Sequence, residues 1–363
     1  MASLMDLTGE RMIASKHVFI IGGTGQIGLA AIDCFLTVGW SVTAAHRGGG
    51  SLSRYLRDDR CNTVALDRDE AGALKHALPY GADVVIDCVA YDQSHANQLL
   101  EIQSQVGALV VISSASVYMD EHGRTLDEAK SPDEYPDLPV PVPETQRTVM
   151  PGPETYSTRK VALEQTLLDK ASIPVTVLRP GAVYGIGSRH PREWWFLKRA
   201  LDGRKSVPLA YEGLSRFHAS SSKNIAELAR LAAERSFHGI LNAGDPECLT
   251  VFEIGETIAD AVGHQWRLVP IPHGRERDSV GMTPWSVPKP FVLDMRAAAA
   301  LGYHAVTTYQ GQMPSYCAWL SAQARAQPWR QAFPILARYP ASDLFDYVAE
   351  DEFMKTFAKR WRR

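Results

Sequence analysis

Apolar and polar positions alternate along the first 180 residues with two different periods. Short apolar runs rich in Val and Ile recur at HVFII (17–21), SVTAA (41–45), TVAL (63–66), DVVIDCVA (83–90), ALVVISS (108–114) and VTVLRP (175–180). Each is apolar on both faces, which predicts strands covered on both sides, as in a parallel sheet. Helix-type stretches separate them, Ile27–Val38 and Glu154–Ala171 among them. Repeated β-α units predict an α/β fold with a doubly wound parallel sheet and right-handed crossovers.

Residues 119–153 break this rhythm. The stretch Tyr118–Pro153 holds seven prolines and eight acidic residues against three Lys or Arg. That composition predicts an insertion loop at the rim of the site, or a surface loop without a role, rather than a core element. Beyond Val183 the alternation weakens. SRHPREWWFLKRALDG (188–203) reads as a helix with an aromatic, basic start. ILNAGD (240–245) and LTVFEIGETIADAVG (249–263) read as a further strand-helix pair. The expected layout is an N-terminal extension over 1–16, a dinucleotide-type domain over 17–181 and a smaller substrate-binding region over 182–320 with returns to the main sheet. Residues 321–363 complete it as a helical appendage with a solvated basic end.

Composition narrows the function classes. The chain has 363 residues, 45% hydrophobic and 22% charged, which are globular values. A formal net charge of -3 speaks against nucleic acid or an anionic membrane as partner. Five scattered cysteines without a C-x-x-C pair speak against a disulfide framework and fit a reducing cytosol, hence a cytoplasmic location. No H-x-x-x-H pair supports a metal site, and no apolar run approaches membrane-spanning length.

The strand HVFII runs into GGTGQIG (22–28), which opens a helix. This strand-turn-helix context predicts a Rossmann-type dinucleotide site. Gly22 permits the tight turn, Gly25 lets the backbone approach a pyrophosphate, and Gly28 lets the helix pack close to the strand. Thr24, Gln26 and Ile27 complete the motif at the positive end of the helix dipole. The second strand ends in His46–Arg47 where an acidic residue would select NAD(H). Arg47 suits a 2′-phosphate and favours NADP(H), or it stacks on adenine, which leaves NAD(H) open. Asp67 ends the third strand, positioned to accept from an adenine amino group or to cap a helix before Glu70. Val89 and Ala90 close the fourth strand beside the cofactor ribose.

Tyr156 and Lys160 form Y-x-x-x-K between the fifth and sixth strands. At i and i+4 they share one helix face, where an ammonium favours phenolate and readies Tyr156 for acid/base work near neutral pH. Ser114 ends the fifth strand, where its hydroxyl can meet the same substrate oxygen. With GGTGQIG, ISSASVY (112–118), YSTRK (156–160) and LRPGAVYG (178–185) in this order, the chain resembles the extended short-chain dehydrogenase/reductase family, also called NAD-dependent epimerase/dehydratases. A weaker similarity continues through LGYHAVTTYQGQMPSYCAWL (301–320), so that the likeness spans about Lys16 to Leu320. The resemblance implies a catalytic triad of Ser114, Tyr156 and Lys160, with Lys160 also on the nicotinamide ribose and Pro180 near the nicotinamide. It further implies hydride transfer at a sugar or nucleotide-sugar hydroxyl or carbonyl, and a homodimer built through helices flanking the sheet.

Departures from that family shape the substrate expectation. Its 4,6-dehydratases carry an Asp-Glu pair after the catalytic Ser or Thr; here Ala115 and Ser116 stand there, which speaks against elimination. Pro180–Gly181 replaces a usual Asn, and RFHASSSKNIAE (216–227) replaces a usual motif, away from the family's nucleotide-sugar pattern. Substrate contacts are expected from Tyr91, Ser116, Arg189, Trp194 and His218. Arg189 and Arg192 suit a diphosphate or carboxylate, or stand as exposed arginines at a helix start; Trp194 and His218 are alternatively packing residues. Three classes follow: an epimerase, an NADPH-dependent ketone reductase or dehydrogenase, and a non-catalytic nucleotide- or RNA-binding protein.

Overall fold

A computed structural model of the chain describes residues 15–48, 52, 55, 57–129, 131–272, 274, 280–338 and 343–361, with side chains up to 356. Most of the expected N-terminal extension and the last residues of the basic end lie outside the described residues. In chain order the strands are β1 (His17–Ile21), β2 (Ser41–His46), β3 (Cys61–Ala65), β4 (Ala82–Asp87), β5 (Val106–Ile112), β6 (Val175–Pro180), β7 (Ala182–Tyr184), β8 (Ser206–Leu209), β9 (Ala219–Ser221), β10 (Gly239–Ala243) and β11 (Arg267–Pro270). Seven of them form one parallel sheet in the order β10-β6-β5-β4-β1-β2-β3. Crossing from β3 to β4 reverses the direction of strand addition, so a crevice opens at the carboxyl ends of β1 and β4, where such sheets bind ligands.

The sheet is buried on both faces because its strands are apolar at odd and even positions alike, except at the edge strand β3, where the expected two-sided cover is missing and Asn62, Thr63 and Ala65 are exposed. Val18 and Ile20 of β1 pack, with Val42, Val84 and Ile86, against α1 (Gln26–Thr37) and a later helix (Ser222–Glu234). Phe19 and Ile21 point the other way, to α2 (Ala73–Ala77), α3 (Gln93–Ile102) and α4 (Tyr156–Lys170). Each such fully buried side chain contributes about 1.5–3 kcal/mol. The remaining helices are α5 (Trp194–Leu201), α6 (Ser222–Glu234), α7 (Val251–Ala261), α8 (Arg296–Ala300), α9 (Tyr309–Ala326), α10 (Trp329–Ala332) and α11 (Tyr347–Trp361). The chain returns to the main sheet through β10, which pairs with β6 from Gly239↔Thr176 to Ala243↔Pro180.

Two expectations need correction. The 119–153 segment is irregular, but it is no mere surface excursion: Met119, Leu138, Val142 and Val149 are buried with Tyr118, Phe291 and Leu293 in a small core of their own. Most of its prolines and acids are exposed, the buried Pro136 and Asp120 excepted, while widely spaced apolar residues turn inward. The 321–363 stretch is not an appendage. Phe333 and Leu336 are fully buried in the core of α5, α7 and α9. Arg199 of α5, buried and 3.4 Å from the Trp195 ring centre, forms an ion pair with Glu350 of α11. Among the described residues no helix is long and apolar enough to cross a membrane.

Candidate active site

The glycine turn is built by main-chain hydrogen bonds. Gly22 and Gly23 both donate their N–H to Ala45 O of β2, at 2.9 and 3.0 Å, and Gly25 donates to Gly22 O at 3.0 Å. Gly22 has φ +86°, the left-handed region that favours glycine. A Cβ on Gly28 would stand 2.3 Å from Gly22 O, so only glycine lets α1 come this close to the turn. Gly25 is the N-cap of α1 and supplies no side-chain cap, and the side chain of Ile27 is in the core. The first-turn N–H groups of α1 are therefore left for an anion. A turn that a Cβ would fill, beneath an uncapped twelve-residue helix, fits a dinucleotide pyrophosphate.

Neighbouring strand ends complete the crevice. Arg47 is exposed just past β2, next to His46, whose Nδ1 accepts from Gly48 N at 3.1 Å. Asp67 is exposed, and its Oδ1 accepts from Asp69 N at 3.1 Å. The helix-cap alternative for Asp67 does not hold, since α2 begins only at Ala73 with Gly72 as its N-cap. Arg68 turns inward and pairs with the buried Asp87 at 2.7 Å; Asp87 Oδ1 also accepts from Val89 N at 2.9 Å. This buried pair ties the end of β3 to the end of β4, and a charge inside an apolar strand end was its only trace in the sequence. Val89 is 47% exposed, and a Cβ on Gly22 would meet its Cγ1 at 2.7 Å.

The candidate triad sits beside it. Ser114 caps the short turn after β5: its Oγ accepts from Ser116 N at 3.1 Å and donates to Ser116 Oγ at 2.9 Å. A Thr155–Thr158 capping box starts α4, which puts Tyr156 first on the helix and Lys160 one turn on. The buried Lys160 Nζ donates to Ala90 O at 2.6 Å and to Ile112 O at 2.9 Å. Gly22, Val89, Ala90, Lys160 and Tyr156 thus follow one another in contact, and the glycine turn and the triad share one crevice.

The expected lowering of the Tyr156 pKa by Lys160 is not what the geometry produces. Lys160 Nζ lies 5.5 Å from the centre of the Tyr156 ring and directs two protons to main-chain carbonyls instead. Tyr156 is 40% exposed. Burial pushes its pKa up to about 12, with Ser114 hydrogen bonding pulling the other way. Burial also lowers Lys160 to about 8, opposed by the charge of Asp87.

A profile of known sequences matches residues 18–244, and the profile is that of the NAD dependent epimerase/dehydratase family. The chain belongs to this family. Over 264 residues it is 24% identical to the chloroplast stem-loop binding protein of 41 kDa b of Arabidopsis thaliana, covering 69% of this chain and 64% of that one. The chain thus spans under two thirds of that relative's length. Two solved structures share the fold. A dTDP-glucose 4,6-dehydratase from Bacillus anthracis in complex with NAD superposes with a TM-score of 0.63 at 16% identity, over 88% of this chain and 100% of the other. A UDP-N-acetylglucosamine 4-epimerase from Bacillus cereus gives 0.63 at 17% identity, over 84% and 99%.

In this family member the expected substrate residues divide. Tyr91 stands 5.7 Å from Tyr156, ring centre to ring centre, with the Arg159 guanidinium 5.5 Å over its ring. Ser116 bonds Ser114. Pro180 is buried at the end of β6, against β10. Trp194 does not join this group: it is buried against Phe333 at 5.2 Å, as an aromatic core position. His218 is also structural, with Nε2 2.9 Å from Asp245 O and Nδ1 accepting from Leu293 N at 2.9 Å. Arg189 is exposed on the loop after β7, five residues before α5 starts, so it is not at a helix start.

Sequence reasoning missed a buried layer beneath Ser114. Ser113 hydrogen-bonds Glu164, which holds Arg179 at 2.5 Å; Arg179 lies 4.9 Å over the Tyr118 ring, and the Tyr118 hydroxyl donates to Asn242 Oδ1 at 2.7 Å. Polar residues at apolar-face positions, Glu164 in α4 and Arg179 in β6, were the available signal. This layer fixes β5, β6, α4 and β10 behind the triad.

Proposed function

We propose that this chain transfers hydride between a nicotinamide cofactor and a carbinol or carbonyl carbon of a sugar or nucleotide-sugar, as an epimerase or an oxidoreductase. The observation that carries the reading is the meeting of Ser114, Tyr156 and Lys160 in the same crevice as the uncapped glycine turn. When bound, the nicotinamide supplies the hydride acceptor or donor. The turn Gly22–Gly28 holds the pyrophosphate by main-chain N–H groups, and Asp67 accepts from the adenine amino group. Arg47 favours NADP(H) over NAD(H). Tyr156 exchanges the proton of the substrate hydroxyl, and Ser114 orients that oxygen. Lys160 has one proton beyond the two bound to Ala90 O and Ile112 O, available to a ribose hydroxyl. Tyr91 and Ser116 line the substrate side.

The experiment is incubation of the purified chain with UDP- and dTDP-hexoses, with NADP(H) or NAD(H). Cofactor absorbance and chromatography of the sugars are followed together. Interconversion of sugars without net change in cofactor indicates epimerisation; stoichiometric change indicates net oxidation or reduction. An activity that survives Tyr156→Phe unchanged overturns the reading. The name of the Arabidopsis relative, a stem-loop binding protein, supports a second reading, binding of a nucleic-acid stem-loop; the net charge of -3 and the retained Tyr156 and Lys160 weigh against it. A filter-binding assay with stem-loop RNA across salt concentrations tests it.

A further inference from the structure

A run of hydroxyl groups leaves the triad in a direction that hydride transfer itself does not use. Ser114 Oγ donates to Ser116 Oγ at 2.9 Å, and Ser116 Oγ lies 3.0 Å from Ser157 Oγ. Ser157 Oγ donates to Asp127 Oδ2 at 2.5 Å. Ser157 is buried in the first turn of α4, next to Tyr156, while Asp127 is exposed on the Pro-rich segment. At the near end the Ser114 side chain is a hydrogen-bond partner of the Tyr156 hydroxyl, and with its own proton on Ser116 Oγ it accepts from the phenol. The main chain holds the serines in place: Ser116 N donates to Ser114 Oγ at 3.1 Å, and Ser116 O lies 3.0 Å from Ser157 Oγ. Each serine has one donor and two lone pairs, enough to accept from one neighbour and donate to the next. All the hydroxyls can thus point the same way, toward the carboxylate.

We propose that Ser157 and Asp127 are relay residues that exchange the Tyr156 proton with solvent through Ser116 and Ser114. The proposal rests on the reading of Tyr156 as the acid/base of a hydride transfer. In one passage Tyr156 gives its proton to Ser114, Ser114 gives its own to Ser116, Ser116 to Ser157, and Ser157 to the Asp127 carboxylate, which releases it to water. The reverse passage restores the phenol. At each step one O–H bond breaks and one forms, and nothing is oxidised or reduced. The outlet matters once the bound nicotinamide nucleotide covers the crevice side of Tyr156. It also separates reaction classes, since a net oxidation or reduction exchanges a proton with solvent in every turnover, whereas an epimerisation can hand it back to the substrate. The competing explanation is that Asp127 only pins its segment to the N-terminus of α4, where a carboxylate suits the helix dipole.

The test uses the full chain, with NADP+ and NAD+ as probes and no substrate. A cationic nicotinamide near Tyr156 favours phenolate, so binding releases a proton, read with an indicator dye in weak buffer. Tryptophan fluorescence reports binding itself, and Tyr156→Phe, which releases none from this site, is the blank. In the unsubstituted chain release keeps pace with binding. In Ser157→Ala and Asp127→Asn it lags about tenfold or more, and added imidazole restores it. Ser157→Thr and Asp127→Glu release as the unsubstituted chain does. Asp127 is exposed, so Asp127→Asn carries the test if Ser157→Ala misfolds by circular dichroism. Release equally fast in both variants, or binding with no release from Tyr156, overturns the relay. Failure of both nucleotides to bind overturns the cofactor reading itself, and the relay with it.

Discussion

The ammonium of Lys160 stands over the ring of Tyr156, 5.5 Å from its centre. Two of its protons join Ala90 O and Ile112 O, which makes Lys160 a tie between the ends of β4 and β5. Tyr156→Phe is therefore expected to lower whichever activity is found by about 10²- to 10⁴-fold while leaving cofactor affinity and Tm nearly unchanged. Lys160→Met is expected to lose activity, cofactor affinity and stability together. The pH dependence has a definite sign. Burial brings the folded-state pKa of Lys160 from 10.5 to about 8. Between these values the unfolded chain binds the extra proton, so the contribution of Lys160 to stability rises with pH across that window. Urea unfolding at pH 7.5 and pH 10, as about pH 8 is crossed, is expected to show the unsubstituted chain gaining on Lys160→Met by about 2–3 kcal/mol. A gap that shrinks with rising pH contradicts this.

Two glycines of the turn are expected to respond differently. A Cβ on Gly28 would meet Gly22 O at 2.3 Å and Gly23 Cα at 2.8 Å, both main-chain atoms that cannot swing away. Gly28→Ala is expected to push α1 off the turn, costing about 1–3 kcal/mol and abolishing cofactor binding. A Cβ on the exposed Gly25 would find its nearest atom at 3.4 Å. Gly25→Ala is expected to keep its Tm and lose affinity, because its methyl occupies the space a pyrophosphate needs. Thermal melts and calorimetric titration with NADP+ separate the two; unchanged affinity in Gly25→Ala removes it from the site.

Much of this arrangement was legible in the sequence, for physical reasons. Strands buried on both faces must be apolar at every position, and HVFII, ALVVISS and VTVLRP carry that requirement openly. The glycine turn and the Tyr156–Lys160 spacing are local, so their geometry follows from a few consecutive residues. What depends on distant pairing was not legible. The three-residue strands Ala182–Tyr184 and Ala219–Ser221 are too short to show a period. Arg68 with Asp87, and Glu164 with Arg179, are seen only once strands are side by side. Val142 and Leu138 lie between prolines without periodicity, which hid their core role. Trp194 is an aromatic residue beside arginines in the chain, but Phe333, 139 residues later, is what covers it.

Cofactor choice tests the end of β2. Arg47 is exposed there, with no carboxylate in the position that accepts from a ribose 2′-hydroxyl. A charge-assisted bond to a 2′-phosphate is worth about 1.5–3 kcal/mol, or roughly 10- to 100-fold in Kd. Arg47→Ala is expected to weaken NADP+ by that factor and NAD+ by less than about twofold. Calorimetric titration of both nucleotides against both proteins decides it; equal losses would mean that Arg47 stacks on adenine instead.

Glu193, just before α5, is fully enclosed, with the Tyr309 hydroxyl 3.3 Å from its Oε1. Burial raises its pKa from 4.5 to about 7, opposed by the charge of Arg192 and by the Tyr309 hydrogen bond, and reinforced by Asp245. A folded-state value above the unfolded one means that between pH 4.5 and about 7 the folded chain binds the extra proton. Stability from this group is therefore full below 4.5 and is lost as pH rises through 7. Glu193→Gln keeps the acceptor for Tyr309 and removes the charge. It is expected to match the unsubstituted chain near pH 4.5 and to exceed it by about 2–3 kcal/mol at pH 8. Urea unfolding at the two pH values measures both differences. An advantage of the same size at both would show that packing, not ionisation, sets the cost of Glu193. An advantage confined to high pH identifies the junction of α5 with α9 as a region whose stability falls across the neutral range.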